Sequence, residues 1–271
     1  MKKLLYKILS IVIVIIFLIP IFYTILHSFM DEYQIRVDSG SFLPEKFSFH
    51  QYLKIAFNSN YFSLYLNSIF ISLGIIAGQV FVSVGAAYYF SRNKSKFSNA
   101  VFLLYIFLML LPLQITLIPN VFLYNGIENY IGIKIRDTYL ALVVPGIFST
   151  MGAFFLKQFF DSIPKSLYEV AYIDGASEFK ILTGIVIPYS KNAILALCAL
   201  NFIESWNMIE QALIFIDTQS KYPLSLYLNN MYTTDKGIFY AGNVVFLFPV
   251  ICLLMANIES VKKMMIKENE R

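Results

Sequence analysis

Long apolar stretches, separated by shorter polar segments, are the main pattern of this chain. A helix needs about 20 predominantly apolar residues to cross the hydrocarbon core of a bilayer. Stretches suited to this lie at 8–30, 64–90, 99–119, 138–156, 192–216 and 237–258. The fifth stands apart because it contains Glu204 and Glu210. Since backbone groups in lipid must find partners within their own segment, the pattern predicts an all-α membrane protein with six transmembrane helices.

Basic residues are distributed unevenly between the two sets of loops that six helices create. Fourteen of the 21 Lys and Arg residues lie in one set, which comprises 1–7, 91–98, 157–191 and 259–271. The other seven lie in the second set, which comprises 31–63, 121–137 and 217–236. Because cytoplasmic loops are enriched in Lys and Arg, both termini and the 157–191 loop are predicted to be cytoplasmic.

Composition supports the same interpretation. Hydrophobic residues make up 58% of the chain and charged residues 14%, whereas soluble domains carry about 25% charged residues. Lys2, Lys3 and Lys7 before the first stretch are typical of a signal peptide, but the apolar run is too long and lacks a small-residue cleavage site. An uncleaved first helix is therefore predicted. Neither His27 nor His50 has the spacing of a metal ligand, so no metal or catalytic site is predicted.

The segment 157–191 has the most specific pattern among the loops. Pro164 is suited to a helix start, and Ser166 with Glu169 matches a Ser-x-x-Glu capping box. The helix that follows is predicted to bury one apolar stripe. This stripe consists of Leu167, Val170, Ala171 and Ile173.

The same segment is predicted to stop and restart. Gly175 stands where a left-handed residue ends a helix. A second helix is predicted to begin near Ser177 and to end or kink at Pro188, whose ring cannot continue the helix. Local chemistry leaves two interpretations open: an interfacial helix lying on the membrane and capped by Glu169, or a docking element for a partner.

The run from Glu169 to Ala176 resembles the EAA loop of ABC importer permeases, whose pattern is Glu-Ala-Ala, three residues, Gly, nine residues and Ile-x-Leu-Pro. Here Glu169-Val170-Ala171 opens the run, Gly175 follows after three residues, and nine more lead to Ile185-Val-Ile-Pro188. Val170 and Ile187 depart from the pattern but remain apolar.

Further segments resemble the carbohydrate branch of that family, which is similar to the second membrane subunit of the maltose transporter. They are Asn67-Ser68, Pro112-Leu-Gln114 with Pro119, the run from Phe155 to Pro164, and Trp206-Asn207. Met208 stands where this branch usually has Asp. The resemblance therefore covers nearly the whole chain and implies transport of a sugar or sugar derivative.

The resemblance implies the type I ABC importer permease fold, as a single permease domain over 1–271 with 157–191 as its coupling loop. A coupling helix between the fourth and fifth spans would sit in a cleft of a separate ATPase. The residues that the resemblance assigns to this contact are Leu167, Glu169, Val170, Ala171, Asp174, Gly175 and Ala176. Because the chain has no Gly-x-x-x-x-Gly-Lys-[Ser/Thr] loop, the partner would use ATP and Mg²⁺, and this chain would be neither an enzyme nor a cofactor binder.

The implied partners are ABC ATPase subunits, a second permease subunit in a heterodimer, an extracytoplasmic solute-binding protein and membrane lipid, without nucleic acid. The implied location is the inner membrane of a prokaryotic cell, with several crossings and both termini in the cytoplasm. The segment 31–63 is expected to meet the solute-binding protein by the same analogy.

Polar residues in the fifth stretch suggest a solute path, because intramembrane carboxylates usually face a cavity or a partner. On a continuous helix, Asn201, Glu204, Ser205, Asn207 and Gln211 fall within one arc. Hydrogen bonding between helices is an equally open explanation. The path is predicted to involve Gln114, Asn201, Glu204, Trp206, Asn207 and Gln211, although a lone Trp is more often a packing or interface anchor.

Two other classes of function are weighed against an ABC permease. An ion-coupled secondary transporter would use Glu204 as its intramembrane carboxylate, and inverted repeats would support it. No convincing repeat is present. A membrane-embedded enzyme or a scaffold subunit is the third class, and no arrangement of nucleophile and base supports an enzyme.

Overall fold

The computed structural model describes residues 2–37 and 41–269, and every regular element in these ranges is helical. In chain order the α-helices are α1 (Lys2–Ser28), α2 (Glu32–Val37), α3 (His50–Ala56), α4 (Ser59–Arg92), α5 (Lys96–Met109), α6 (Leu113–Ile131), α7 (Leu140–Ile147), α8 (Thr150–Asp161), α9 (Lys165–Ile173), α10 (Glu178–Ile181), α11 (Ile187–Tyr189), α12 (Lys191–Trp206), α13 (Glu210–Phe215), α14 (Leu224–Thr234) and α15 (Lys236–Asn269). A π-helix at Leu182–Val186 joins α10 to α11, and a 3₁₀ turn covers Gln219–Lys221.

Several of these helices are long and apolar enough to cross a membrane. Within the described residues, four spans qualify on their own, at Leu5–Ser28, Asn60–Arg92, Leu140–Asp161 and Lys236–Ala256. They correspond to the predicted stretches 8–30, 64–90, 138–156 and 237–258. Two bent helix pairs raise the number to as many as six, if each pair counts as one span.

The stretch predicted as one helix over 99–119 is broken. α5 ends at Met109, and α6 begins at Leu113 with Pro112 as its N-cap, at an angle of 100°. A proline disfavours helical conformation in the residue before it and lacks an N–H, which explains the stop. The prediction of one continuous helix was wrong here, although the prolines that flank Gln114 did mark the site.

The stretch predicted over 192–216 is also broken. α12 ends at Trp206, three residues intervene, and α13 starts at Glu210. α12 is instead the second half of a bent pair with Glu178–Tyr189, at an angle of 75°. A single helical wheel therefore does not describe the polar residues of this segment beyond Trp206.

The described residues group into two compact units, and the single permease domain predicted for 1–271 stays a prediction. One unit combines Met1–Tyr65 with Leu224–Glu259. In it, the Tyr61 hydroxyl donates to the Gly242 carbonyl at 3.0 Å. Lys54 Nζ also lies 2.8 Å from Glu32 Oε2, and this hydrogen bond lowers the pKa of the Glu32 carboxyl.

The other unit combines Leu66–Pro223 with Ser260–Arg271. In it, α4 approaches α7 and α8 closely because small residues stand at the contacts. A methyl group added at Gly78 would collide with Ile147, one at Gly146 would collide with Ile75, and one at Gly152 would collide with Ser83. Such small-residue contacts are typical of helices that pack in membranes, where close backbone approach supplies the van der Waals energy.

Candidate coupling site and solute cavity

The helix α9 ends in the manner that the sequence predicts. Gly175 has a φ of +72°, in the left-handed region where residues with a Cβ are strained. The N–H of Ala176 donates to the Ala171 carbonyl at 2.9 Å, and the N–H of Gly175 donates to the Tyr172 carbonyl at 3.0 Å. This pair of bonds is a Schellman motif, which turns the chain sharply before Ser177 starts the next helix.

The start of α9 differs from the prediction. Pro164 is the N-cap, the helix runs from Lys165, and no side chain makes a capping hydrogen bond. Ser166 therefore lies one position inside the helix, so the predicted capping box with Glu169 is wrong. Glu169 is exposed, as is Asp174.

The apolar stripe of α9 also differs from the prediction, because three of its four members point outward. Leu167, Val170 and Ile173 are exposed by 39%, 58% and 85%. Ala171 is buried, together with Tyr168, which was not among the predicted residues. α9 therefore rests on the protein through Tyr168 and Ala171 and presents an apolar surface to its surroundings. We call Leu167, Val170 and Ile173 the outer stripe.

A buried cluster beneath α9 attaches it to the long helices. Tyr168 and Ala171 pack in one core with side chains from α4, from α8 and the turn after it, and from the 181–197 region. Its other members are Val84, Ala87, Leu156, Phe160, Ile163, Ile181, Val186, Ala193 and Leu197. Because packed cores transmit displacements rather than absorb them, α9 and the helices around this core are expected to move together.

Arg92 adds a polar clamp between α4 and α9. Its guanidinium carbon lies 4.0 Å from the centre of the Tyr168 ring, and its Nη2 donates to the Tyr172 hydroxyl at 3.3 Å. The Tyr172 hydroxyl donates to Glu178 Oε1 at 2.6 Å, and the Tyr88 hydroxyl donates to Glu178 Oε2. We call Tyr88, Arg92, Tyr172 and Glu178 the α4–α9 clamp.

A second polar group fixes the end of α8, just before the coupling loop. Asp161 accepts hydrogen bonds from Ser91 Oγ at 2.8 Å, Lys94 Nζ at 3.0 Å and Lys157 Nζ at 2.6 Å. Ser91 and Lys94 flank Arg92 in sequence, so the cytoplasmic end predicted for α4 contacts both sides of the loop.

The second helix of the loop begins at Glu178 with Ser177 as its N-cap, and Ser177 Oγ accepts from the Lys180 N–H at 3.4 Å. It continues through the π-helix and past Pro188 to Tyr189, where the chain bends into α12. The predicted restart near Ser177 and the predicted kink at Pro188 both agree with this geometry. π-helical insertions of this kind are often found at functional positions.

A cavity of about 570 Å³ lies in the same unit, between α4, α5, α6, α7, α8, α12 and α13. Three predicted path residues line it: Asn201, Glu204 and Gln211. Asn201 is buried, and its Nδ2 has no hydrogen-bond partner among the described residues. Gln79 and Asn120, which sequence reasoning missed, also line this cavity.

The other three predicted path residues are not among those that line this cavity. Gln114 Nε2 donates to Glu210 Oε2 at 2.8 Å. Trp206 is fully buried and stacks on Phe202 with ring centres 5.2 Å apart, which fits a packing anchor. Asn207 follows α12, and its Nδ2 donates to the Ile203 carbonyl at 2.8 Å.

A group of hydrogen bonds around Asp137, which we call the Asp137 latch, joins the α6–α7 connection to the segment after α13. Asp137 accepts from the N–H groups of Asp217 and Thr218 at 3.1 and 2.9 Å, and Lys221 Nζ lies 2.9 Å from its carboxylate. These donors hold the pKa of the Asp137 carboxyl well below its usual range, with Lys221 as the largest cause. Its φ of +58° is unusual for a residue other than glycine, although Asp tolerates it better than most.

Asn67, one of the residues that carry the family resemblance, also forms hydrogen bonds to the segment after α13. Its Nδ2 donates to the carbonyls of Ser220 and Tyr222 at 2.9 and 3.1 Å, and its Oδ1 accepts from the Tyr139 hydroxyl at 2.8 Å. Asn67 lies inside α4 rather than at the start of the helix, since α4 begins at Ser59.

Comparison with known proteins gives a family match over most of the chain. Residues 71–258 match the family described as binding-protein-dependent transport system inner membrane component. This range contains the coupling loop, the cavity residues and the Asp137 latch.

Individual relatives agree with this match. The chain is 27% identical to the arabinooligosaccharides transport system permease protein AraQ of Bacillus subtilis, over 78% of this chain and 75% of that protein. It is 29% identical to the sn-glycerol-3-phosphate transport system permease protein UgpE of Yersinia pestis, over 72% and 69%.

A solved structure agrees at the level of the fold. It is a bacterial ABC transporter involved in the import of the acidic polysaccharide alginate, and it superposes with a TM-score of 0.81 at 20% identity. The match covers 96% of this chain and 97% of that chain.

Proposed function

This chain belongs to the family of binding-protein-dependent transport system inner membrane components, and we propose that it is the permease subunit of an ABC importer for a sugar or sugar derivative. The family is one of multi-pass inner-membrane transport proteins, which supports a transport role. The names of the relatives, an arabino-oligosaccharide permease and a glycerol phosphate permease, support a carbohydrate-type solute. They do not support the alternative of an ion-coupled transporter with Glu204 as its proton-linked carboxylate.

The observation that carries the proposal is the outer stripe of α9. A short helix that presents exposed apolar residues, yet is anchored beneath by a core and by the α4–α9 clamp, has the form of a docking element. Exposed apolar surface on a loop with charged neighbours is costly unless a partner covers it. The basic residues of this loop favour a cytoplasmic position, so the partner we propose is the separate ATPase that uses ATP and Mg²⁺.

The proposed coupling follows from rigid attachment. When the ATPase subunits close on ATP, they displace α9, and the core beneath α9 moves α4, α8 and α12 with it. These helices carry cavity residues, among them Gln79 on α4 and Asn201 on α12. The displacement therefore changes the side of the membrane to which the cavity is open, from the cytoplasmic side to the extracytoplasmic side.

Two further partners belong to the proposal. The stretch Leu5–Ser28 of α1 has no buried residue in its most apolar window, so lipid or a second permease subunit must cover it. We place a second permease beside this chain in a heterodimer. A solute-binding protein meets the loops of the opposite membrane face, among them 31–63.

Reconstitution tests the proposed function. The chain is placed in proteoliposomes with its cognate ATPase, second permease and binding protein, and uptake of labelled sugars is measured. We expect uptake that requires ATP and every subunit. Uptake that persists without ATP but collapses with the proton gradient would contradict the proposal and favour a secondary transporter.

A further inference from the structure

The charge of the cavity lining bears on the class of solute. Glu204 is the only charged residue among the described residues that line the cavity, and no Lys, Arg or His accompanies it there. The remaining polar lining is made of amides and hydroxyls. Its members are Gln79, Thr116, Asn120, Ser149, Thr150, Asn201, Ser205 and Gln211.

These neutral groups suit the hydroxyls of a sugar. Amides offer both donors and acceptors, and a hydroxyl offers one donor and two acceptor lone pairs. Asn201 is the clearest case, because the residue lines this cavity and its buried Nδ2 has no hydrogen-bond partner among the described residues. A buried donor without a partner costs roughly 1–3 kcal/mol, so a solute oxygen that accepts from it recovers that cost.

Two helix N-termini are the strongest reason to consider an anion. α6 and α8 both begin at the cavity, through Leu113 and Thr150, and neither has a side-chain cap hydrogen bond. Each helix N-terminus carries only about half a positive charge. Together they amount to about one positive charge, no more than the negative charge that Glu204 brings to the lining, so the lining has no net positive charge to attract an anionic solute.

We propose that the cavity selects an uncharged saccharide and excludes phosphorylated or acidic ones, with Asn201 as a donor to the solute and Glu204 as the residue that rejects anions. The inference rests on the proposed function and narrows its solute class. A carboxylate of Glu204 accepts from sugar hydroxyls, whereas it repels a phosphate in a site with low dielectric constant. Phosphate sites are normally built with Arg or Lys, which this lining lacks.

Ligand binding to the permease itself tests this, because uptake also reflects the selectivity of the binding protein. Trp206 is the only tryptophan of the chain and follows the cavity residue Ser205, so its emission can report occupancy. The full chain in detergent is titrated with arabinotriose and maltotriose. It is then titrated with sn-glycerol-3-phosphate, inorganic phosphate and a uronic acid oligosaccharide at constant ionic strength.

We expect a saturable change of emission with a neutral saccharide and none with the anions. Asn201→Leu should weaken neutral binding about tenfold, as expected for the loss of one buried hydrogen bond. Glu204→Lys should introduce a response to glycerol phosphate. Asn99→Leu, the matched change at an amide outside the cavity, should leave binding unchanged.

Saturable binding of an anion by the unaltered chain, as tight as that of the neutral saccharides, would overturn the proposal. So would the absence of a response to both neutral saccharides, or equal binding by the Asn201 variant. None of these results affects the ATPase docking of α9, which is measured separately, so failure of the solute class is distinguishable from failure of the importer function.

Discussion

Gly175 occupies a backbone conformation that other residues adopt only with strain, and it does so at the junction of the two helices of the coupling loop. No heavy atom lies within 4 Å of the position that a Cβ would take. A side chain there therefore strains the backbone but does not collide with neighbouring atoms, so its effect can be attributed to the strain.

We expect Gly175→Val to abolish uptake while the chain still inserts in the membrane, because the strained residue reopens the Schellman turn and reorients α9. ATP hydrolysis should then proceed without transport. Gly132 provides the matched control, since it has a φ of +77°, has an equally open Cβ position and ends α6. Gly132→Val should cost a similar amount of stability, roughly 1–2 kcal/mol, and retain coupling. Normal uptake by the Gly175 variant would refute this role.

Asp137 stabilises the chain through its charge, and the effect has a defined direction with pH. Because its folded pKa is depressed, the stabilisation is complete above the usual Asp pKa of about 4 and is lost as pH falls toward the folded value.

Asp137→Asn should lower the free energy of unfolding by about 1–2 kcal/mol at neutral pH, because the ion pair with Lys221 is lost while a side-chain oxygen remains to accept from the backbone N–H groups of Asp217 and Thr218. The midpoint of thermal unfolding in detergent, measured from pH 7 to pH 3, checks this. The difference between variant and unaltered chain should shrink below pH 4, and a constant difference would show that the charge is not responsible. Asp137→Ala should cost more, since alanine offers no side-chain acceptor for the N–H groups of Asp217 and Thr218.

At the scale of elements, the α4–α9 clamp is a polar connection between α9, the coupling helix that we propose, and α4. Its parts come from α4, α9 and α10, and Arg92 contacts both tyrosines of α9. Stacking of a guanidinium on an aromatic ring contributes about 0.5–2 kcal/mol, depending on solvation.

Arg92→Ala is expected to reduce uptake about tenfold, which corresponds to a loss near 1.4 kcal/mol, and to leave ATPase binding intact. Uptake by Arg92→Lys should lie between that of the unaltered chain and that of Arg92→Ala, because lysine keeps the charge but loses the planar stack. The ratio of sugar transported to ATP hydrolysed is the measurement that separates this role from a purely structural one. An unchanged ratio in the alanine variant would rule the clamp out as a coupling element.

Some of the breaks between helices can be predicted from the sequence, and others cannot. The stop at Gly175, the restart at Ser177 and the kink at Pro188 follow from local chemistry, and each was predictable. The break after Trp206 has no proline or glycine at the site and depends on tertiary packing, so the apolar pattern over 192–216 suggested one continuous helix.

The candidate site was predictable in part for the same reason. Asn201 and Glu204 lie three residues apart on α12, so their shared face follows from helical spacing. Gln79 and Asn120 lie far from Asn201 and Glu204 in sequence, and Arg92 lies far from the coupling loop. Their roles depend on how the helices pack. The spacing of the outer stripe predicts that its residues share one face of α9. It does not predict that this face is exposed, because burial depends on which face the core covers.

At the scale of the whole molecule, the chain shows two kinds of uncovered apolar surface. The first lies on the long apolar helices, and the most apolar part of α1, which is long enough to span lipid, is its clearest example. The second is the outer stripe of α9, which is too short to span a bilayer and lies beside Lys165 and Glu169. Under the proposed function, lipid or a second permease covers the first surface, and the ATPase covers the second.

Capture of the ATPase by the tagged chain, co-expressed with its cognate subunits, tests the docking role of α9 most directly. The comparison is between the unaltered chain and Val170→Ser/Ile173→Ser, with Leu103→Ser/Leu104→Ser on α5 as a control at exposed apolar positions outside the loop. We predict that the unaltered chain and the α5 control retain the ATPase, whereas the α9 variant inserts normally and loses it. Equal retention by the α9 variant would contradict the assignment of α9 as the coupling helix.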